Sequence, residues 1–147
     1  MQVSQFFGKI SHKKLLAMIT RHIDIDNNKW GILLIFDFDT YYDALELGAI
    51  MQSFGMRKSK VKEALNVLST YNSGMAISNF GIRMSAVFIG KATKASQFWN
   101  SIAHEMRHVS DAILDYYGDE WDGSETPAYL DGYIFQKVVE TIAQPCY

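Results

Sequence analysis

Residues 104–108 read His-Glu-Met-Arg-His, a spacing that suits metal chemistry. Side chains four residues apart on a helix lie one turn apart on the same face, so His104 and His108 can bind one Zn²⁺ through their imidazole nitrogens. Glu105 lies about a quarter-turn away, where its carboxylate can accept a proton from a metal-bound water. The pattern therefore predicts a metal that activates water beside a glutamate general base.

The helix that carries this pattern is expected to run from about residue 95 to residue 117, before Gly118. At about 100° per residue, its apolar side chains gather in one direction, which should face the core. They are Trp99, Ile102, Ala103, Met106, Val109, Ile113 and Tyr117. The two histidines point the opposite way, so they are poor candidates for core residues. Alternatively, they belong to an exposed stripe and pair with Asp111 or Asp115.

A catalytic zinc site needs a third protein ligand, and Glu125 is the best placed acidic residue downstream. Asp111 lies on the histidine stripe but is too close along the same helix to complete a tetrahedron. It better suits a supporting position, in which it accepts the outer N–H of a ligating histidine and fixes its tautomer. The sequence therefore favours His104, His108 and Glu125 as ligands.

Glu125 stands at the start of a last helix, which is expected to run to about residue 143 after an N-cap at Ser124. It heads a stripe that includes the small residues Ala128 and Gly132. This stripe predicts a close approach to the histidine helix, which would bring the carboxylate to the metal. Alternatively, Glu125 only complements the helix dipole.

HEMRH followed by SETPAYLDGY resembles the gluzincin branch of the zincin metallopeptidases, over about residues 83–136. In that family one helix carries His-Glu-x-x-His and a following helix supplies a glutamate. The resemblance is to the compact, single-domain zincins of bacteria and phages. It implies His104, His108 and Glu125 as zinc ligands, Glu105 as general base and a peptide or protein substrate.

Two departures from the family pattern affect the remaining roles. Ser124-Glu125 follows His108 more closely than the Asn-Glu of thermolysin-like members does, and no histidine lies downstream of His108. A tyrosine, Tyr129 or Tyr133, is therefore expected to stabilise the oxyanion by donating its phenolic O–H. Both tyrosines are equally compatible with packing.

The elements that must position these residues can be predicted from periodicity and turn residues. The first half of the chain alternates strands and helices, and the second half consists of two long helices. The predicted elements are a strand hairpin (18–25 and 30–38), a helix from 41 to 55 capped by Thr40, a helix from 58 to 70, and strands at 75–78 and 83–90. This order predicts an α+β, zincin-like fold. A small, mostly antiparallel sheet should pack against the motif helix and the C-terminal helix.

The strand at residues 83–90 comes shortly before the motif helix. We expect it to form the edge of a cleft, where an extended peptide can pair with it main chain to main chain.

A rival motif begins at the end of the second strand, where ILLIFDFDTYYD contains Asp37-x-Asp39. An apolar strand followed by this pair resembles the first motif of haloacid-dehalogenase-type phosphatases, which use Mg²⁺ and an aspartate nucleophile. Thr40 stands one residue early for that family, and no acidic pair follows a later apolar strand. The alternative is a strand that ends in polar residues before a helix. A zincin-shaped module that binds zinc without catalysis is a further alternative.

Length and composition limit the remaining possibilities. The 147 residues suggest one domain (1–147), and 48% hydrophobic residues are enough for a core. A net charge of −2 gives no basic field for nucleic acid. The single cysteine, Cys146, permits no intrachain disulfide, and no apolar run is long enough to span a membrane. These features predict a cytoplasmic protein without a membrane or nucleic-acid partner, and they do not predict an oligomeric state.

Overall fold

A computed structural model describes residues 18–121 and 126–143. Along the chain, the elements are β1 (Ile19–Ile25), β2 (Trp30–Phe36), α1 (Ala44–Ser53), α2 (Lys58–Leu68), β3 (Gly74–Asn79), β4 (Met84–Ile89), α3 (Ala95–Tyr117), a short 3-10 turn (Gly118–Glu120) and α4 (Thr126–Ala143). Every strand and helix expected within this part of the chain is present. The predictions for Ser124, Glu125 and Cys146 fall outside the described residues.

The hairpin of β1 and β2 forms because four turn-prone residues separate two apolar runs. The strands pair antiparallel from Ile25 opposite Trp30, and three consecutive turn residues, Asp26, Asn27 and Asn28, adopt positive φ. Asn28 donates its backbone N–H to the carboxylate of Asp24 over 2.8 Å. Aspartate and asparagine tolerate the left-handed region better than most residues, so the sequence fixes this turn locally. The predicted hairpin is confirmed.

The four strands form one mixed sheet in the order β1-β2-β4-β3. β1 and β2 are antiparallel, as are β3 and β4, but β2 and β4 are parallel. The chain that leaves β2 passes through α1, α2 and β3 before it returns in β4, and a long crossover of this kind is what parallel pairing requires. The α+β class is confirmed, and the sheet is mixed.

Both faces of the sheet are covered by helices. On one face, α3 and α4 bury β2 side chains such as Trp30, Ile32 and Leu34. On the other face, α1 and α2 pack on Ile35 and Phe88. Because each central strand is covered on both sides, β2 and β4 are almost entirely apolar, whereas β1 alternates buried and exposed residues along most of its length. The motif helix and the last helix thus share one face of the sheet.

The structure corrects the prediction that residues 83–90 form an edge strand. β4 lies between β2 and β3, and the edge on this side of the sheet is β3. The run Met84–Ile89 is buried at five of its six positions, which is typical of a central strand. A strand's place in a sheet depends on pairings with distant segments, so its own sequence did not reveal the edge.

The predicted cap at Thr40 is also wrong, because α1 begins four residues later, at Ala44. Asp39 organises the preceding turn instead: its Oδ1 accepts the backbone N–H groups of Tyr41 and Tyr42 at 2.8 and 2.9 Å. The buried carboxylate of Asp43 accepts the N–H of Asp39 in return, over 2.9 Å. The turn is organised by aspartate and not by Thr40, because the two oxygens of a carboxylate can accept several N–H groups at once.

No helix in residues 18–121 or 126–143 combines the length and the apolar character needed to cross a bilayer.

Candidate metal and peptide site

Helix α3 holds the two histidines away from the core. Ile102, Val109 and Ile113 are fully buried on its sheet-facing side, as their spacing predicts. On the opposite side the His104 side chain is 69% exposed and His108 is exposed as well. Ala103 was also expected to face the core, but it is exposed and lines a groove between α3 and α4.

The histidine rings lie side by side on this exposed face. Their centroids are 5.1 Å apart, and the ring planes cross at 78°. Each ring can turn a nitrogen toward a common point, so the pair offers two of the ligands that a tetrahedral zinc ion needs. The helix alone sets this spacing, since the residues are one turn apart.

Glu105 differs from its neighbours, because its side chain is buried although it lies next to an exposed ridge. The residue is 6% exposed, and its Oε1 is 4.0 Å from Nε2 of His104. Burial raises the pKa of Glu105 above its ordinary value of 4.5, whereas the charges of His104 and His108 act to lower it. A carboxyl group with a raised pKa beside an imidazole pair holds a proton more readily than an ordinary carboxylate, as a general base must.

Strand β3 provides the surface that buries Glu105. A Cβ atom added at Gly74 would lie 2.8 Å from Cγ of Glu105, which is closer than Cβ atoms approach other atoms, and 3.0 Å from its Oε1, which is a tight contact. Only glycine therefore leaves room for the glutamate in its present position. Gly74 is a residue that the sequence did not single out. Its one local signal, the YNSG turn, marks a chain reversal and says nothing about Glu105.

Helix α3 and strand β3 run side by side in the same direction. Gly74 begins the strand beside Glu105, and Phe80, just beyond its end, places its ring 5.7 Å from that of Tyr116. His104 and His108 lie on the same helix as Glu105 and form an exposed histidine ridge next to this contact. The outer edge of β3 is not paired with any other strand of the described residues.

The described residues contain no third metal ligand. Within residues 18–121 and 126–143, no group of three or more histidine, cysteine, aspartate or glutamate side chains could hold a metal ion. His104 and His108 remain two candidate ligands, and Glu105 remains a candidate base beside them. The predicted third ligand, Glu125, lies outside the described residues.

Asp111 is engaged by a different partner. Its Oδ1 accepts from Nε of Arg107 over 3.1 Å, and Nη1 of the same arginine donates to Asp131 of α4 over 3.0 Å. This bridge joins α3 to α4 on the flank away from β3. Support of a ligating histidine by Asp111 stays a prediction.

Helix α4 does not use its small residues for contact with α3. Ala128 and Gly132 are exposed, and a Cβ added at Gly132 would meet nothing within 4 Å. The residues that α4 buries are Leu130, Ile134 and Val138, together with Thr126 at its start. The predicted contact through the small-residue stripe is therefore wrong, because the larger apolar side chains of α4 determine which face packs.

The two tyrosines expected near the oxyanion lie on α4. Tyr129 is 72% exposed, and Tyr133 packs against the core with Nζ of Lys137 5.6 Å from the centre of its ring. In the part of the chain described, neither hydroxyl bonds to a histidine or to Glu105. Their role in catalysis stays a prediction.

The Asp-x-Asp pair lies at the carboxyl end of β2, beside the parallel strand β4. Asp37 is exposed with a φ of 53°, and Oδ2 of Asp39 lies 3.9 Å from Nζ of Lys91. Since the other oxygen of Asp39 holds the turn before α1, its carboxylate has a structural task that explains its presence. The geometry favours a strand end followed by a capped turn over a phosphatase site.

Comparison of the chain with models of protein families, with curated proteins and with solved structures finds no match in any of the three.

Proposed function

We propose that this protein is a zinc-dependent metallopeptidase with a zincin-like arrangement of its helix and edge strand. His104, His108 and Glu125 are the proposed zinc ligands, and Glu105 is the proposed general base. One observation carries the proposal: two exposed histidines one turn apart adjoin a buried glutamate whose Oε1 lies 4.0 Å from one of them. A purely structural metal site has no use for that carboxylate.

When bound, zinc lowers the pKa of a coordinated water and polarises the carbonyl that the water attacks. Glu105 takes the proton of the attacking water and delivers it to the amine that leaves when the peptide bond breaks. Its raised pKa favours both transfers, because the carboxyl group can hold the proton between them. The wall formed by Gly74 keeps the carboxylate beside the histidines and limits its contact with solvent.

The proposed substrate is an extended peptide or a protein segment. The support comes from β3, whose outer edge lies beside the histidine ridge and offers backbone N–H and C=O groups to a further strand. A peptide paired in this way runs along β3, and its scissile bond is proposed to lie next to His104 and His108. The strand that carries this function is β3, in place of residues 83–90.

Zinc analysis of the full chain, purified without a histidine tag, tests the metal. We expect close to one zinc ion per chain, and its loss when His104 and His108 are both replaced by alanine. His22→Ala is the matched control, since this exposed histidine lies on β1, away from the site. A zinc content below about 0.1 per chain in the wild type would exclude the site.

Two further variants separate the proposed roles. Glu125→Ala should lower zinc affinity, whereas Glu105→Gln should keep the metal and lose hydrolysis of a fluorogenic peptide mixture. Zinc bound with no hydrolysis in the wild type would instead favour a non-catalytic zinc-binding module. Activity that depends on Mg²⁺ and on Asp37 would favour the phosphatase alternative.

A further inference from the structure

The outer edge of β3 separates two grooves. Side chains of β3 alternate: Gly74 faces Glu105 on α3, and Ala76 joins the core beneath that helix. Met75 and Ile77 face the opposite side, where they pack with α1 and α2. A strand added to this edge would alternate in the same way, and it would present every second side chain to the side away from the histidines.

On that second side lies a groove of about 640 Å³ between α2 and β3. Its walls are mainly apolar and include Phe54, Met56, Ala64, Val67, Met75 and Ile77. Val67 is 50% exposed in the last turn of α2, so part of the wall is open to solvent. The shape and lining suit apolar side chains that enter from the edge of β3.

The rim of the groove is positively charged. Arg57 and Lys60 line it together with a single acidic residue, Glu63, and the first turn of α2 contains no acidic residue. Lys60 pairs with Glu63 over 3.7 Å, but no carboxylate within residues 18–121 and 126–143 pairs with Arg57. The partial positive charge of the helix N-terminus acts in the same direction. An occupant with a carboxylate next to its apolar side chains complements this rim.

We propose that the groove between α2 and β3 is the specificity pocket for an extended peptide paired with the edge of β3. The peptide carries apolar side chains at alternate positions and an acidic residue beside them. This deepens the proposed function, since it rests on the same peptide along the same strand, but it assigns selection to the face opposite the histidines. The strand spacing of about 3.3 Å per residue sets successive pocket-facing side chains about 7 Å apart.

The test is fluorescence anisotropy with the full-length Glu105→Gln variant in EDTA, so that binding is measured without metal or hydrolysis. The probe is a fluorescein-labelled octapeptide of alternating serine and leucine, with aspartate after its last leucine. We expect saturable binding that weakens about tenfold or more when serine replaces the leucines, because the apolar burial is lost. Val67→Glu should have a similar effect, and Leu45→Glu is its matched control, since Leu45 is 90% exposed on α1 outside the groove.

Two measurements identify the binding mode. Arg57→Glu should reverse the preference between the aspartate probe and the same peptide with lysine in place of aspartate. Two sets of probes are N-methylated, one at the odd-numbered residues and one at the even-numbered residues. One set should lose binding and the other should keep it, because only every second N–H of an added strand faces its neighbour.

Absence of saturable binding, equal loss with Val67→Glu and Leu45→Glu, or equal binding of both N-methylated sets would overturn the proposal. So would sedimentation that shows a dimer dissociated by Val67→Glu, because a second copy of the chain would then fill the groove. Since the assay contains no metal, binding in a protein that fails the zinc analysis separates this inference from the proposed catalysis.

Discussion

Replacement of Gly74 by alanine tests whether Glu105 is held against the strand as the structure describes. The added Cβ would lie 2.8 Å from Cγ of Glu105, about 0.6 Å inside the shortest comfortable contact between carbon atoms. Because Cγ is close to the helix backbone and the side chain is buried, either Glu105 or the strand must move. Overpacking of this kind costs about 1–3 kcal/mol.

The expected size of the effect depends on the residue opposite. In the wild-type chain, Gly74→Ala should destabilise by about 0.5–2 kcal/mol, because removal of a glycine returns about 0.4–1 kcal/mol through the unfolded state. In a Glu105→Ala background, Cγ, Cδ and Oε1 are all absent, so the same change should be neutral or stabilising. The coupling between the two positions should therefore be about 1–3 kcal/mol.

Urea unfolding in EDTA measures all four members of this cycle, and it avoids the stabilisation that a bound metal would add. Gly132→Ala is the control for the glycine term, since its new Cβ meets nothing within 4 Å and the helix should gain up to about 1 kcal/mol. A coupling energy near zero, or stabilisation by Gly74→Ala in both backgrounds, would show that Glu105 does not lie against β3.

Three other predictions concern charge and burial. Burial raises the pKa of Glu105, so without metal the folded state disfavours its ionised form. The Glu105→Gln variant should therefore match the wild type in stability at pH 4, and its advantage should grow as the pH rises above 4.5. Urea unfolding at a series of pH values measures this difference. A gap that shrinks with rising pH would contradict this. Arg107→Gln should cost less than about 1 kcal/mol, and 1 M NaCl should remove most of that cost, because the arginine and its partner Asp111 are more than half exposed. Trp30→Phe should destabilise by about 1–3 kcal/mol in thermal unfolding, because the indole N–H donates to Ser85 over 3.0 Å in the core; an unchanged Tm would argue against that bond.

The positions of the strands and helices along the chain could be predicted because they depend on residues that are close in the sequence. The hairpin turn at 26–29 and the end of α3 at Gly118 follow from residues that tolerate positive φ. The sheet order could not be predicted in the same way. Parallel pairing of β2 with β4 brings together segments about 50 residues apart, and their shared apolar character is equally compatible with several arrangements.

Long-range packing also explains the wrong expectation for α4. Ala128 and Gly132 suggested a close helix contact, but the free energy gained by burying Leu130, Ile134 and Val138 turns that face inward and leaves the small residues exposed. Composition along one helix therefore indicated a possible contact without deciding which face would make it.

The sequence by itself determined that His104 and His108 share one face of a helix and that this face turns away from the core. Helical geometry fixes both properties within a few turns. Only the tertiary structure decided that Glu105 is buried, because Gly74 reaches it from a strand about 30 residues earlier. Likewise, β3 became the open edge beside the histidines through its pairing with β4. A helix can place ligands side by side, but the environment that tunes their chemistry comes from whatever the rest of the chain packs against it.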